Sequence, residues 1–364
     1  MKENDAYIML TEKLGVKTPS KLTNILQEVY TAEECTVLME LFEPATCQEV
    51  ATRLGMDEGK VKDMLEHLVD NGSLTKGKTQ YGFHTNALSL HHDVFADPAV
   101  LPLSTKVREL WKDFFYNEFA DEHFLANYID RMEKTGRPLF RVWPALGALE
   151  LSPNIKPEDI LPEENWRLSI ENAKRRILAP CGCRVSWGVE CDHPSENCCF
   201  ACFDNDRGEY YIDKPGRKLV EFSLEGTLER VRELEQAGLV HIGVCYCCPD
   251  SCEILFTLKR AQRWDLLDCS RFVPEVNEEA CTGCQQCVKK CYFDAIEMKK
   301  LENSNKQKAT INKEKCKGCG LCIVGCKQKA MVYVVDKPPE HVVRKVDPNA
   351  KPFKPPVWGF YNLD

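Results

Sequence analysis

The sequence lacks the features that mark several common classes of enzyme and membrane protein. It has no glycine-rich dinucleotide-binding motif, no phosphate loop and no Ser/His/Asp arrangement in a known motif context. No motif in the sequence therefore indicates hydride transfer, phosphoryl transfer or hydrolysis by a catalytic triad. No apolar run is long enough to span a membrane, and the N-terminal MKENDAYIML does not have the pattern of a secretory leader. We therefore expect a cytoplasmic protein with no membrane insertion.

The sequence also has no excess of positive charge, with 48 lysines and arginines against 56 acidic residues. The 364 residues carry a formal net charge of -8 at pH 7, which gives no general attraction to nucleic acid or anionic lipid. A chain of this length can bury a core in two or three domains and does not need disulfides to stabilise a small scaffold. In a reducing compartment its 21 cysteines therefore point to metal rather than to disulfides.

Eight of the cysteines form two copies of the spacing C-x2-C-x2-C-x3-C. The segment CTGCQQCVKKC at 281–291 returns 35 positions later as CKGCGLCIVGC at 316–326. Two residues between thiolates let the backbone curl around one cubane cluster, while the fourth cysteine of each copy reaches the other cluster. The predicted ligands are Cys281, Cys284, Cys287 and Cys326 for one 4Fe-4S cluster, and Cys316, Cys319, Cys322 and Cys291 for the second. Zinc, for which two C-x2-C pairs per site would suffice, is the alternative.

With these two cysteine segments and their repeated flanks, residues 273–336 resemble the bacterial-type two-cluster ferredoxin. PEVNEEAC parallels ATINKEKC before the cysteines, and CYFDAIEM parallels CKQKAMVY after them. The resemblance implies a ferredoxin-like dicluster domain that transfers single electrons. The family usually has proline directly after the fourth cysteine, whereas this chain has Tyr292 and Lys327.

Ten further cysteines lie between positions 181 and 252, as CGC-x7-C-x6-CC-x2-C and C-x-CC-x3-C. The intervening LVEFSLEGTLERVRELEQAGLVHIG predicts a strand, a helix capped by Ser223 and Gly238, and a second strand. This scaffold can fold the two segments together, with thiols for one or two additional iron-sulfur clusters or a structural zinc. The preferred ligands are Cys181, Cys183, Cys191, Cys198, Cys247, Cys248 and Cys252, with Cys199, Cys202 and Cys245 in reserve.

Residues 140–260 also resemble a cysteine-rich module that precedes two-cluster ferredoxin domains in iron-sulfur proteins of anaerobic bacteria and archaea. Within it, Arg184 and His193 are candidates to donate hydrogen bonds to cluster sulfurs. The alternatives are a surface salt bridge for Arg184 and an exposed loop for His193. Cys269 is predicted to be a small core residue.

The N-terminal region has a different character. Residues 31–84 combine three helix-like stretches with an extended hairpin, a pattern similar to a winged helix-turn-helix with N-caps at Thr46 and Asp57. This stretch contains ten acidic and five basic residues, so that phosphate contact is disfavoured and a structural or partner-docking role is predicted. Cys35 and Cys47 are predicted to be core or helix residues.

Between these regions the chain is rich in aromatic residues. Trp111, Phe114, Phe115, Phe119 and Phe124 are predicted to pack a layer between the winged helix and the cysteine module, or else to form a subunit interface. His91 and His92 are predicted to be surface residues. At the other end, the proline-rich residues 337–364 are predicted to form an extended arm, with disorder as the alternative.

Together these patterns predict an α+β multidomain protein: a winged-helix-like domain at 1–85, a helical linker at 86–178, a cysteine-rich α/β module at 179–272, a ferredoxin-like dicluster domain at 273–336, and the tail. The predicted function is that of an iron-sulfur electron-transfer subunit that relays electrons to a redox partner protein or oxidoreductase subunits. Two other classes stay open: a redox-sensing winged-helix transcription regulator, and a catalytic iron-sulfur enzyme that uses a middle cluster.

Overall fold

The computed structural model describes residues 3–83, 87–90, 104–187, 191–203, 220–300 and 307–342. The predicted surface pair His91 and His92 and most of the predicted tail lie outside the described residues, as does the side chain of Cys202. Helices and strands both contribute to the fold. No helix in the described residues is long and apolar enough to cross a membrane.

The N-terminal region contains five helices and a small sheet. The helices are Glu3–Lys13, Lys21–Val29, Ala32–Met39, Cys47–Leu54 and Glu58–Asp70, and the antiparallel strands, in spatial order, are Ala45–Thr46, Gln80–Gly82 and Thr75–Lys76. Thr46 and Asp57 cap two of these helices as predicted, since their side chains accept hydrogen bonds from the backbone N–H groups of Glu49 and Lys60. Cys35 is buried, and the half-buried Cys47 donates to a carbonyl oxygen. The first two helices were not predicted, and the winged-helix assignment stays a prediction.

A long helical segment follows the short helix Ala87–Leu90. It runs through Thr105–Phe114, a π-helical stretch Phe115–Phe124, and Leu125–Thr135. Its aromatic side chains form a buried layer, which comprises Trp111, Phe114, Phe115, Phe119 and Phe124.

This aromatic layer lies between two other parts of the protein. On one side Lys21 pairs with Asp113 at 2.5 Å. On the other, the ring of Tyr116 meets the ring of Phe256 edge to face at 4.5 Å between centroids. The aromatic residues therefore connect the N-terminal helices with the cysteine module within one chain.

The cysteine module is built on a five-stranded sheet. In spatial order the strands are Val220–Glu221, Arg175–Ala179, Cys199–Phe203, Cys245–Cys247 and Val240–Ile242, and the helices around them are Leu146–Glu150, Trp166–Asn172, Gly182–Trp187, Leu224–Gln236 and Glu253–Arg260.

The predicted strand, helix and strand between the two cysteine segments are all present, with Ser223 as N-cap and Gly238 at a φ of 94°. Residues 175–179, at the end of the predicted helical linker, are not helical. They form a strand because Ile177 and Leu178 are buried between two neighbouring strands.

In the C-terminal part, the two cysteine repeats of the sequence form matching structural halves. Strand Phe272–Val276 pairs with Met331–Val335, and Ile296–Lys300 pairs with Gln307–Ile311, both antiparallel. Each pair takes one strand from each repeat, so neither repeat can complete its sheets alone. The short helices Gln286–Lys290 and Leu321–Val324 occupy equivalent positions in the two repeats.

The remaining short elements connect these regions. Strand Phe140–Arg141 pairs in parallel with Leu267–Asp268. Single 3-10 turns lie at Pro157–Asp159, Pro162–Glu164, Trp264–Leu266 and Pro339–His341.

Candidate metal centres

The first candidate centre is a cavity at one end of the repeat. It encloses roughly 350 Å³ of empty space, counting its open mouth, and four cysteines line it: Cys281, Cys284, Cys287 and Cys326. Three of these belong to the first repeat, and the fourth comes from the second. The lining has the chemistry that an iron-sulfur cluster requires, with four thiols around a pocket that is otherwise largely apolar.

The second candidate centre lies deeper. Cys316, Cys319 and Cys322 of the second repeat are close enough to Cys291 of the first for its charge to act on all three. Burial raises the pKa of the Cys316 thiol to about 11 and raises the pKa values of Cys319 and Cys322 further. Buried neutral thiols of this kind deprotonate when a cation coordinates them, so the site favours a metal centre over free thiolates.

Backbone amides point at the cysteine sulfurs in matching ways. The N–H of Ala295 donates to Sγ of Cys291 at 3.4 Å, and the N–H of Ala330 donates to Sγ of Cys326 at 3.3 Å. The two pairs are 35 positions apart and occupy the same place in each repeat. Such donors stabilise the negative charge of a cluster with thiolate ligands.

Two glycines in the turns between the cysteines are required by the geometry. Gly283 has a φ of 73°, and a side chain there would collide with the backbone of Gln307. Gly320 has a φ of 79°, and a Cβ atom would collide with the hydroxyl of Tyr333 and lie 2.6 Å from Cβ of Ala148. Both turns therefore need a residue without a side chain.

The middle module contains a third concentration of thiols, the six-thiol network. Its neighbouring members lie within hydrogen-bonding reach of one another, in the order Cys245, Cys199, Cys181, Cys183, Cys252 and Cys247. Cys183 donates its S–H group to Oε2 of Glu253 at 3.2 Å. Contacts with Cys183 and Cys199 lower the pKa of the Cys181 thiol well below its ordinary value, and contacts with Cys183 and Cys247 lower the pKa of Cys252 against the effect of its burial. The network thus holds two buried sulfurs, those of Cys181 and Cys252, ready to be thiolates, as metal ligation requires.

The structure groups the predicted middle ligands differently from their grouping in sequence. Cys181, Cys183, Cys247 and Cys252 belong to the six-thiol network, together with the reserve residues Cys199 and Cys245.

The other three preferred residues lie apart from the network. Cys198 donates its S–H group to the carbonyl oxygens of Pro194 and Glu196, at 3.1 and 3.2 Å. Cys191 and Cys248 face each other, with 3.6 Å between their sulfurs.

Arg184 occupies a buried position among these thiols. Its guanidinium donates to the carbonyl oxygens of Pro194 and Tyr246, and within the described part of the chain it forms no ion pair with a carboxylate. Its strongest electrostatic neighbours are thiols, the first of which are Cys181 and Cys248. The predicted alternative of a surface salt bridge is therefore wrong, because Arg184 is buried and its guanidinium is held by backbone carbonyl oxygens among thiols.

Sequence analysis missed two residues that the structure places at these centres. Tyr292, where the ferredoxin family usually has proline, reaches the middle module and contacts His193 at 3.2 Å. Asp250 lies with Cys191, His193 and Cys248 in one group. The unusual residue after Cys291 was the available signal for the first, whereas nothing in the spacing marked Asp250. His193 is half-buried in this group, so the alternative of an exposed loop is wrong for it.

Comparison with known families supports the assignment at the C-terminal end. A family model described as 4Fe-4S dicluster domain matches residues 280–330, which include all eight cysteines of the two repeats. Searches of curated proteins and of solved structures found no significant match. The protein therefore contains an iron-sulfur domain of the ferredoxin type, joined to a cysteine-rich region.

Proposed function

We propose that this protein is an iron-sulfur electron-transfer protein that exchanges single electrons with a partner oxidoreductase. The observation that carries the proposal is the cavity lined by Cys281, Cys284 and Cys287 together with Cys326 from the other repeat. Three sulfurs from one repeat and a fourth from the other are what a ferredoxin-type pair of clusters requires. Clusters bound at these sites would supply reversible one-electron chemistry.

Burial of the ligands gives the proposed path an outer and an inner end. Cys284 is exposed, and Thr282, Gln285 and Gln286 around it are exposed and uncharged. Cys322 of the second centre is buried beneath the surface. We assign the Cys284 edge to contact with the redox partner, since electron exchange falls off when a protein layer separates two centres.

The middle module lies next to the inner end of this path. Tyr292 directly follows Cys291, and its hydroxyl donates to the carbonyl oxygen of Gly238 at 2.9 Å. Nearby, Lys290 donates to the carbonyl oxygen of Gln236 at 3.2 Å. These contacts hold the second centre against the cysteine module and support a role for the six-thiol network as a third redox centre, with one additional 4Fe-4S cluster.

The residues around these centres also affect the stability of the reduced clusters. Amide donors at Cys291 and Cys326 and the buried cation of Arg184 would each stabilise the more negative, reduced state. No dinucleotide fingerprint is present in the sequence, so the partner rather than this chain would carry out any hydride chemistry.

The test uses the full chain purified without oxygen. We expect about twelve irons and an equal amount of acid-labile sulfide per chain, eight from the dicluster domain and four from the six-thiol network. Protein-film voltammetry should then show reversible one-electron waves. About eight irons would remove the six-thiol network from the electron path, and an iron-loaded protein without reversible waves would contradict electron transfer itself.

A further inference from the structure

We propose that Cys191, His193, Cys248 and Asp250 form a separate structural zinc site in the middle module. The four ligand atoms lie within 4.8 Å of one another. Two thiols, one imidazole and one carboxylate form a donor set that zinc accepts in four-coordinate sites. The site joins the segment that begins at Cys191 to the turn that follows strand Cys245–Cys247.

The distances fit a tetrahedral ion. With Zn–S bonds of about 2.3 Å and Zn–N bonds of about 2.0 Å, two sulfurs of a tetrahedron lie about 3.8 Å apart and a sulfur and a nitrogen about 3.5 Å apart. Sγ of Cys191 is 3.6 Å from Sγ of Cys248 and 3.2 Å from Nδ1 of His193. A zinc ion would therefore need only small adjustments of these three side chains.

The hydrogen bonds of Tyr292 select the tautomer of His193 that can bind a metal. A phenol has one hydrogen, and Tyr292 donates it to the carbonyl oxygen of Gly238 at 2.9 Å. In the 3.2 Å hydrogen bond between Tyr292 and His193, Nε2–H of His193 must then be the donor and the Tyr292 hydroxyl oxygen the acceptor. In the neutral ring this leaves a lone pair on Nδ1, the atom that faces Cys191.

The proposed zinc site is distinct from the six-thiol network. The hydrogen-bond partners of the Cys191 and Cys248 sulfurs include each other, His193, the guanidinium of Arg184 and the Ser251 hydroxyl at 3.3 Å, and none of these is a member of the six-thiol network. The guanidinium of Arg184 lies close to thiols of both groups. Its positive charge suits two neighbouring centres that each carry thiolate ligands.

A second cluster of similar composition does not fit a metal. His341 lies near Asp268 and Cys269, but its Nε2 atom donates to the carbonyl oxygen of Cys269 at 2.8 Å. The same nitrogen faces both side chains, at 3.3 Å from Asp268 and 3.5 Å from Cys269, so it has no lone pair to offer there. Cys269 is thus a suitable matched control.

The experiment compares full-length protein purified without oxygen from zinc-supplemented cultures. We expect one zinc per chain in the wild type and in Cys269→Ser, and none in Cys191→Ser. The iron content should be the same in all three. Tyr292→Phe should still bind zinc but lose it to a competing chelator at about 10–100-fold lower chelator concentration, since this change leaves all four ligands in place and removes the hydroxyl that orients His193.

X-ray absorption at the zinc edge of the wild type keeps the proposal testable if Cys191→Ser does not fold. The expected shell has two sulfur and two lighter ligands, one of them imidazole. A shell of four sulfurs, zinc retained by Cys191→Ser, or an absence of zinc from the wild type would each overturn the proposal. Iron lost from Cys191→Ser would assign Cys191 to a cluster instead.

Discussion

At the residue scale, Arg184 shows how burial changes the energetic cost of a charged side chain. A surface arginine with a carboxylate partner contributes little to stability, typically under about 1 kcal/mol. Arg184 is buried, and its Nε atom has no hydrogen-bond partner in the described part of the chain. Such a residue is costly in an apolar interior unless negative charge is close. Its environment of thiols is therefore independent evidence that some of these thiols are ionised in the working protein.

The exchange of the fourth cysteine between repeats gives a prediction for single residues. We expect Cys291→Ser to remove the same redox signal as Cys319→Ser, and Cys326→Ser to remove the same signal as Cys284→Ser, each with the loss of about four irons. The physical reason is that each fourth cysteine completes the centre of the other repeat. Paramagnetic resonance of the reduced proteins identifies the missing signal. Cys291→Ser with the signal loss of Cys284→Ser would contradict the crossed assignment.

At the scale of elements, the turn at Gly320 tests how tightly the second centre is built. Gly320→Ala should destabilise the protein by more than the ~1–2 kcal/mol expected for a left-handed backbone alone, because the methyl group would collide with Tyr333 and Ala148. Gly136→Ala is the control, since Gly136 also has a positive φ, of 66°, but has open space around it. Denaturant unfolding gives both values. Equal losses of unfolding free energy in the two variants would show that Tyr333 and Ala148 can move to make room for the methyl group.

Glu235 joins two helices and gives a pH prediction. Its carboxyl oxygens accept the N–H groups of Leu146 and Gly147 at 2.7 and 2.8 Å, and burial raises its pKa from 4.5 to about 7. Between these values the folded state binds a proton that the unfolded chain has released. The free energy of unfolding should therefore fall as pH rises from about 4.5 to about 7, by at most about 1.4 kcal/mol per unit.

The matched variants for this prediction are Glu235→Gln and Glu150→Gln. Glu235→Gln loses one acceptor, at a cost of about 1–3 kcal/mol, and should lose this part of the pH slope. Glu150, which pairs with Arg167 and Arg232 at the surface, should change stability by under about 1 kcal/mol and leave the slope in place. Parallel pH curves for the wild type and Glu235→Gln would show that Glu235 is ionised throughout.

The elements that sequence analysis could predict were those with local signals. The repeated cysteine spacing, the capped helix after Ser223 and the hairpin near Gly77 each depend on residues close together in the chain. The grouping of the middle cysteines was not predictable, because sheet pairing brings Cys199 beside Cys245 across 46 positions. Strand Arg175–Ala179 was missed for the same reason, since its partners follow it by 20 residues or more.

At the scale of the whole molecule, the regions are joined by buried polar contacts as well as by the aromatic layer. Arg271, two residues before the predicted dicluster domain, forms a buried ion pair with Glu164 at 2.5 Å. Asn154 donates to the carbonyl oxygen of Tyr333 at 2.6 Å. Breaking a buried pair of this kind is costly, so the segment around residues 150–165 holds the dicluster domain firmly against the rest of the chain.

The N-terminal region decides between an electron-transfer protein and a regulator. Two of its lysines are already paired with acids, Lys60 with Glu33 and Lys76 with Glu66, the second pair at 2.6 Å. We therefore expect the full chain to show no binding to mixed-sequence duplex DNA at micromolar concentration and physiological salt. Glu66→Gln would release Lys76 and should raise DNA affinity at low salt if this face resembles that of a DNA-binding winged helix.

Fluorescence anisotropy of labelled duplex DNA, over a range of salt concentrations, measures DNA binding by the wild type and by Glu66→Gln. Wild-type binding that weakens steeply with salt would favour the regulator, because release of counterions from phosphates is the mark of a DNA-binding surface. Binding by neither protein would favour the predicted structural or partner-docking role of this region. A domain with twice as many acidic as basic residues over positions 31–84 repels phosphate, and the same charge would attract a partner with a basic docking surface.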